Sequence, residues 1–208
     1  CWGSSDGGAA AGMTTMDDAN QDFEGDSATV ETARLELRRL TRADAPFMLE
    51  LLNDADFVRY IGDKGARTPE DAARYIEAGA AASYRRHGFG LYRVDLRDHR
   101  SPIGICGLIK RDTLEDVDVG FAFLPAHRGN GYALESVRGV LEHARDDCGL
   151  TRLAAIVAPD NGRSIRLLER AGFRFDRAIL WPPQNEILHL WSVDVGPFPL
   201  RRASDRRT

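Results

Sequence analysis

Residues 117–133 read Val-Asp-Val-Gly-Phe-Ala-Phe-Leu-Pro-Ala-His-Arg-Gly-Asn-Gly-Tyr-Ala, and this stretch constrains the fold more than any other. Its first half is a strand-like run ended by Pro125, and from residue 131 Leu134, Val137, Leu141 and Ala144 recur at helical spacing. Between strand and helix lies Arg128-x-x-Gly131-x-Ala133. Such a turn can aim successive backbone N–H groups at one point, with the positive end of the helix behind them, which suits a phosphate or pyrophosphate. Gly129 and Gly131 keep side chains out of the way. The same spacing also fits an ordinary glycine-rich turn capped by Asn130, so context has to decide. A Walker A loop is excluded, because Gly131 is followed by Tyr132 and Ala133 instead of Lys and Ser or Thr. The dinucleotide fingerprint is disfavoured, since only Gly129-x-Gly131 is present without a third glycine.

Along the chain, residues 34–40 alternate Leu35 and Leu37 with charged neighbours, as a half-buried strand does. Asp44 stands as N-cap of a helix bearing Phe47, Met48, Leu51 and Leu52. Thr68-Pro69-Glu70-Asp71 opens a second helix that runs to about Tyr84. Runs 89–96, 102–109 and 117–124, separated by turn-forming residues, read as an antiparallel meander. A helix over 131–145, a strand at 153–158, a helix over 164–171 stopped by Gly172, and strands at 173–180 and 187–195 complete the order. The expected fold is α/β (α+β): a mixed, mostly antiparallel central sheet of about seven strands with helices on both faces and no internal repeat.

A chain of 208 residues, 43% of them hydrophobic, can bury one substantial core, and the expected domain spans residues 33–196. The net charge of −4 is unevenly spread. Asp6, Asp17, Asp18, Asp22, Glu24, Asp26 and Glu31 precede the first basic residue, Arg34, so residues 1–32 are expected to be a disordered acidic leader. Residues 197–208, with Arg201, Arg202, Arg206 and Arg207, are expected to be a flexible basic tail. The sequence opens on Cys1, and a start at Met13 or Met16 is the expectation. No run approaches the roughly 20 apolar residues of a membrane span, and no secretory signal is visible. Cys1, Cys106 and Cys148 are too scattered for a disulfide framework or a zinc site, and Cys106 reads as a packed small hydrophobe. A cytoplasmic protein with no metal and no membrane contact is expected. The balanced charge of the body argues against a nucleic-acid face.

Taken with Pro159-Asp160-Asn161, Ser164 and Leu168-Glu169-Arg170-Ala171-Gly172-Phe173, the 117–133 stretch resembles the GNAT superfamily of N-acetyltransferases. The branch it most resembles is the RimJ/RimL-like group, named for enzymes that acetylate N-termini of ribosomal proteins. The resemblance covers nearly all of residues 32–195, element order included. It implies a sheet split between its fourth and fifth strands. The fourth would diverge through a bulge, so that main-chain groups of Phe121, Phe123 and Leu124 bond the pantetheine arm of acetyl-CoA as a strand would. It further implies that Arg128, Gly129, Asn130, Gly131, Tyr132 and Ala133 hold the pyrophosphate, mainly with backbone N–H groups at the helix start. Asn161 would bond the pantetheine or the reacting region, Ser164 would lie beside the thiol, and Arg170 would approach the adenosine end.

The implied chemistry is transfer of an acetyl group from acetyl-CoA to a primary amine by direct attack in a ternary complex. Asp118 stands where the family usually has a Glu and is the candidate to take the amine proton, directly or through water. Its bland alternative is a turn-end acid paired with a nearby Arg. A backbone N–H near Phe123 would polarise the thioester carbonyl. Many members place a Tyr, the acid for the departing thiolate, where this chain has Leu168, which leaves Ser164 as the candidate donor. Tyr60 and Asp63, from the segment 57–67 joining the first two helices, and Trp181, from the loop after residue 180, are expected to frame the acceptor. That acceptor is a protein N-terminus or a small-molecule amine, and the enzyme a monomer or homodimer. The missing Tyr keeps a second reading open, a non-catalytic acyl-CoA-binding sensor.

Overall fold

The computed structural model describes residues 28–181 and 186–196. Within them, strands β1 (Ala28–Glu31), β2 (Leu35–Arg39), β3 (Leu91–Leu96), β4 (Ser101–Ile109), β5 (Val117–Phe123), β6 (Arg152–Val157), β7 (Arg174–Trp181) and β8 (Glu186–Asp194) make one sheet. Its order is β1-β2-β3-β4-β5-β6-β8-β7. Neighbouring strands are antiparallel except for β5 and β6, which run parallel. The helices are α1 (Ala45–Leu52), α2 (Ala55–Ile61), α3 (Pro69–Ile76), α4 (Ala82–His87), α5 (Tyr132–Asp146) and α6 (Gly162–Arg170). This is the mixed, mostly antiparallel sheet expected from the sequence. Residues 103–108 of β4 are all buried, apolar and small residues alike, which requires cover on both faces of the sheet.

Several expectations are corrected. The described sheet has eight strands, in keeping with the about seven expected, and the extra one, β1, lies inside the stretch read as a leader, 1–32. Its four residues are too short and too polar-flanked to announce a strand. What holds them is tertiary: pairing with β2, and packing against α5, where the Thr32 hydroxyl donates to Glu135 at 2.7 Å. The segment 57–67 is helical through Ile61 as α2, capped by the Asp54 side chain, which accepts from the Phe57 N–H. The helix begun at Thr68, with its capping box to Asp71, is interrupted by a π-type turn at Glu77–Ala81 before α4. Asp44 does occupy the N-cap position of α1 but makes no cap bond. Its carboxylate accepts from the Thr41 N–H and from Arg38 and Arg93, and Arg93 also pairs with Asp95 at 2.6 Å. Burial alone would push the Asp44 pKa up, yet the bonds from Arg38 and Thr41 and the charge of Arg93 hold it below the ordinary value. The readings for residues 1–27, for Pro182 and Pro183, and for 197–208 fall outside the described residues.

Candidate active site

The site is built around one opening in the sheet. β5 and β6 pair only at Val117 with Leu153 and at Asp118 with Ala154, after which they diverge. β5 meanwhile stays in unbroken antiparallel register with β4 from Asp118 to Phe123. The split therefore lies between the two strands expected to part, now β5 and β6. No bulge in β5 produces it, contrary to expectation. In an antiparallel ladder, successive residues turn their main-chain groups alternately toward and away from the partner. Leu124 donates its N–H to the Ile103 carbonyl at 2.9 Å, so Leu124, Ala122 and Gly120 face β4. Phe121 and Phe123 face the gap. Leu124 is thereby removed from the expected set of donors, while Phe121 and Phe123 remain.

Past β5 the chain makes a 3-10 turn at Pro125–His127 and enters α5 through two glycines in the left-handed region, Gly129 at φ 83° and Gly131 at φ 81°. Only glycine adopts that conformation without strain. Gly131 itself occupies the N-cap position, with no side chain to cap the helix; Asn130 does not serve as the cap. The first main-chain bond of the helix is Glu135 N–H to Gly131 O, at 3.1 Å. Among the described residues, no bond takes the N–H groups of Gly129, Asn130, Gly131, Tyr132 or Ala133, which leaves a cluster of donors at the positive end of a helix of 15 residues. Arg34 braces this turn from behind. It pairs with Glu135 at 2.6 Å, donates to the Asn130 carbonyl at 3.1 Å and lies 4.6 Å from the centre of the Tyr132 ring.

The Arg128 side chain is bonded within the protein. Its Nε donates to the Phe123 carbonyl at 2.8 Å, and its terminal nitrogens pair with Asp54 and, at 2.6 Å, with Asp56. It ties the turn before α5 to the start of α2, and its own N–H closes the 3-10 turn on Pro125. One neutral carbonyl and two carboxylates thus occupy its donors.

One continuous cleft of about 1620 Å³ joins the gap, the turn and a flanking chamber. Asp118 lies in its wall with its side chain only 2% exposed, and Oδ1 accepts from Arg111 Nε at 2.9 Å. Burial raises the Asp118 pKa, against the opposing pull of Arg111. Asn161 caps α6 by accepting from the Ser164 N–H at 3.1 Å, and its amide nitrogen has no partner among the described residues. Ser164 lines the same cleft from the first turn of α6, and its hydroxyl makes no bond among those residues. Arg170 ends α6 and lines both the cleft and a smaller recess with Arg34 and Arg138.

In the chamber, Tyr60 and Trp181 form aromatic wall, with Trp181 inside β7 and not in a loop. Asp63 is there too, but Arg67 holds its carboxylate at 2.5 Å, and that bond followed by the Gly65 N–H lowers its pKa to about 2. It is therefore no free counter-charge for an ammonium. Cys106 is fully buried, with its thiol pushed up to about 12 by burial, so it serves as packing. Sequence reading missed Arg34, Asp54 and Arg111. Each acts through a partner far along the chain or across the sheet, except that Asp54 just before Ala55-Asp56-Phe57 did carry a legible capping signal.

A sheet opened between two parallel strands, leading onto an uncapped helix start, can take an extended ligand along the strand and an anion at its end. Comparison with known proteins makes this specific. Residues 34–174 match the family described as the acetyltransferase (GNAT) domain. The chain is 31% identical over 147 residues to the uncharacterized N-acetyltransferase YoaA of Bacillus subtilis, covering 70% of this chain and 82% of that protein. A GNAT-family acetyltransferase from Bacillus anthracis superposes with a TM-score of 0.68 at 23% identity, over 80% of this chain and 98% of the other. RimL, a ribosomal L7/L12 alpha-N-protein acetyltransferase solved with coenzyme A, superposes at 0.69 and 14% identity, over 81% and 98%. The chain belongs to the GNAT acetyltransferases, whose reaction is acetyl-CoA-dependent N-acetylation. Among the described residues, no helix is long and apolar enough to cross a membrane.

Proposed function

We propose that the chain transfers the acetyl group of acetyl-CoA to a primary amine, of a protein N-terminus or a small molecule, by direct attack within a ternary complex. The observation that carries this is the gap between β5 and β6 running directly onto the unpaired N–H groups at the start of α5. The residues present fit acetyl-CoA: main-chain groups of Phe121 and Phe123 suit the pantetheine arm, and Gly129 to Ala133 suit the pyrophosphate.

In this reading the substrate thioester supplies the acetyl group, and the chain supplies position and proton handling. The Phe121 or Phe123 N–H polarises the carbonyl oxygen. Asp118 takes a proton from the incoming ammonium; its burial directs the transfer through an intervening water, and its raised pKa makes it a better base than an exposed aspartate. The amine nitrogen then bonds to the carbonyl carbon, the carbon–sulfur bond breaks, and the Ser164 hydroxyl supplies a proton to the departing thiolate. The nitrogen gives up its remaining extra proton as the amide forms, and that proton returns through water to Ser164.

Incubation with acetyl-CoA and a panel of amines, following thiol release and acetylated product by mass spectrometry, tests this. Stoichiometric product and free thiol support it. Acetyl-CoA binding with no product on any amine would instead identify an acyl-CoA sensor.

A further inference from the structure

The geometry points to an acceptor that carries a carboxylate of its own, seated against Arg111 and Lys64 beside Trp181. This inference rests on the transferase reading above and names its substrate class.

Arg111 lies just beyond β4 and enters the chamber as a fixed group. Its Nε is committed to Asp118, and its guanidinium carbon lies 5.6 Å from the centre of the Trp181 ring. The terminal nitrogens have no partner among the described residues. They form the fork that recognises a planar carboxylate. Lys64 lines the same chamber and gives one hydrogen to the Ile61 carbonyl at 2.9 Å. Although Lys64 as a residue is exposed, partial enclosure of its ammonium, and then the charge of Arg111, lower its pKa. Tyr75, pushed up by burial, feels the same Arg111 charge.

Two cations thus line one chamber, Lys64 feeling the charge of Arg111, and only Arg111 is paired there with a carboxylate, Asp118. The other acids of the cleft do not balance them: Asp56 is held by Arg128, and Asp63 by Arg67. Glu186, opposite Trp181 in the β7–β8 register, has no ion pair among the described residues and stands at the rim. A zwitterion meets this arrangement well, its carboxylate on Arg111 and Lys64 and its ammonium able to meet Glu186 on entry. A polyamine would set further positive charge against both cations, which disfavours it. The cations also lower the pKa of a bound amine, which helps release the free base that attacks.

The test compares kcat/KM for matched acceptors at saturating acetyl-CoA: phenylalanine, methionine and glycine, each with its carboxamide and its decarboxylated amine. The expected result is a preference of at least about tenfold for the free acid in one or more sets, the scale of one charge-assisted hydrogen bond. That preference should shrink to about threefold or less in Lys64→Met and in Arg111→Gln, each variant losing one such bond. Because Arg111→Gln also releases Asp118, the Lys64→Met ratio stands if the other variant does not fold. Equal use of all three members in every set, a preference for amines without a carboxylate, or a ratio that survives Lys64→Met would overturn the inference while leaving the transferase reading intact. Failure of that reading looks different, as no acetyl-CoA binding and no thiol release with any amine.

Discussion

The Nε of Arg128 donates to the carbonyl of Phe123 at 2.8 Å, so the last residue of β5 is bonded to the turn that leads into α5. The same guanidinium is anchored by Asp54 and Asp56 at the start of α2. Arg128, expected with its neighbours at the pyrophosphate, has its side chain bonded within the protein, where it links the opened strand to the helix start. It fixes where the opened strand ends relative to the helix start.

Arg128→Met should therefore weaken acetyl-CoA binding indirectly. Loss of the charged bonds to Asp54, whose side chain is 9% exposed, is expected to cost about 2 kcal/mol of stability. Chemical denaturation and calorimetry together check this. Unchanged stability with weaker binding would return Arg128 to the phosphate.

Gly131→Ala forces a side chain into a left-handed backbone at φ 81°, at a cost of about 1 kcal/mol. Relief of that strain turns the N–H groups of the helix start, and acetyl-CoA affinity should fall by about tenfold. Gly149→Ala, at φ 66° and outside the cleft lining, is the control. It should lose comparable stability with affinity unchanged.

Asp118→Asn keeps an acceptor for Arg111 but cannot take a proton. The turnover number should fall by about 10² or more, the usual contribution of a general base, with acetyl-CoA affinity preserved. The pH profile gives a second readout. Because burial raises the Asp118 pKa, wild-type turnover should be lost as pH falls through a point above the ordinary aspartate value of 3.8. That limb should be absent from the residual activity of the variant.

The Asp44 cluster makes the opposite prediction for stability. The folded-state pKa of Asp44 lies below the ordinary 3.8, so its contribution is complete above that value and is lost as pH falls through the lower folded value. Asp44→Asn leaves Arg38 and Arg93 half-buried with less counter-charge, and should cost about 3 kcal/mol at neutral pH. Below the folded-state pKa of Asp44, the stability difference between variant and wild type should narrow. Urea midpoints measured across pH test both parts.

The strand-to-helix stretch was legible because its signals are local: an apolar run ended by Pro125, then two glycines whose backbone only glycine adopts easily. The meander and the cap at Thr68 were legible for the same reason. What the sequence could not show is pairing across distance. β1 exists because β2 and α5 receive it. Arg34 reaches Asn130 and Glu135 from about a hundred residues away. Asp63 looked like a free charge until the fold placed Arg67 on it, and Leu124 looked like a ligand donor until the ladder phase turned its N–H toward Ile103. Each miss concerns the direction of a group, which residue type and spacing leave open.

The central claim is that main-chain donors hold the thioester carrier. Amide hydrogen exchange with and without saturating coenzyme A measures it directly, because those N–H groups are unpaired in the free protein. Slowed exchange confined to peptides covering residues 119–124 and 129–135, with β2 and β3 unaffected, is the predicted result. Coenzyme A bound at saturation with no slowing in either peptide would contradict the account.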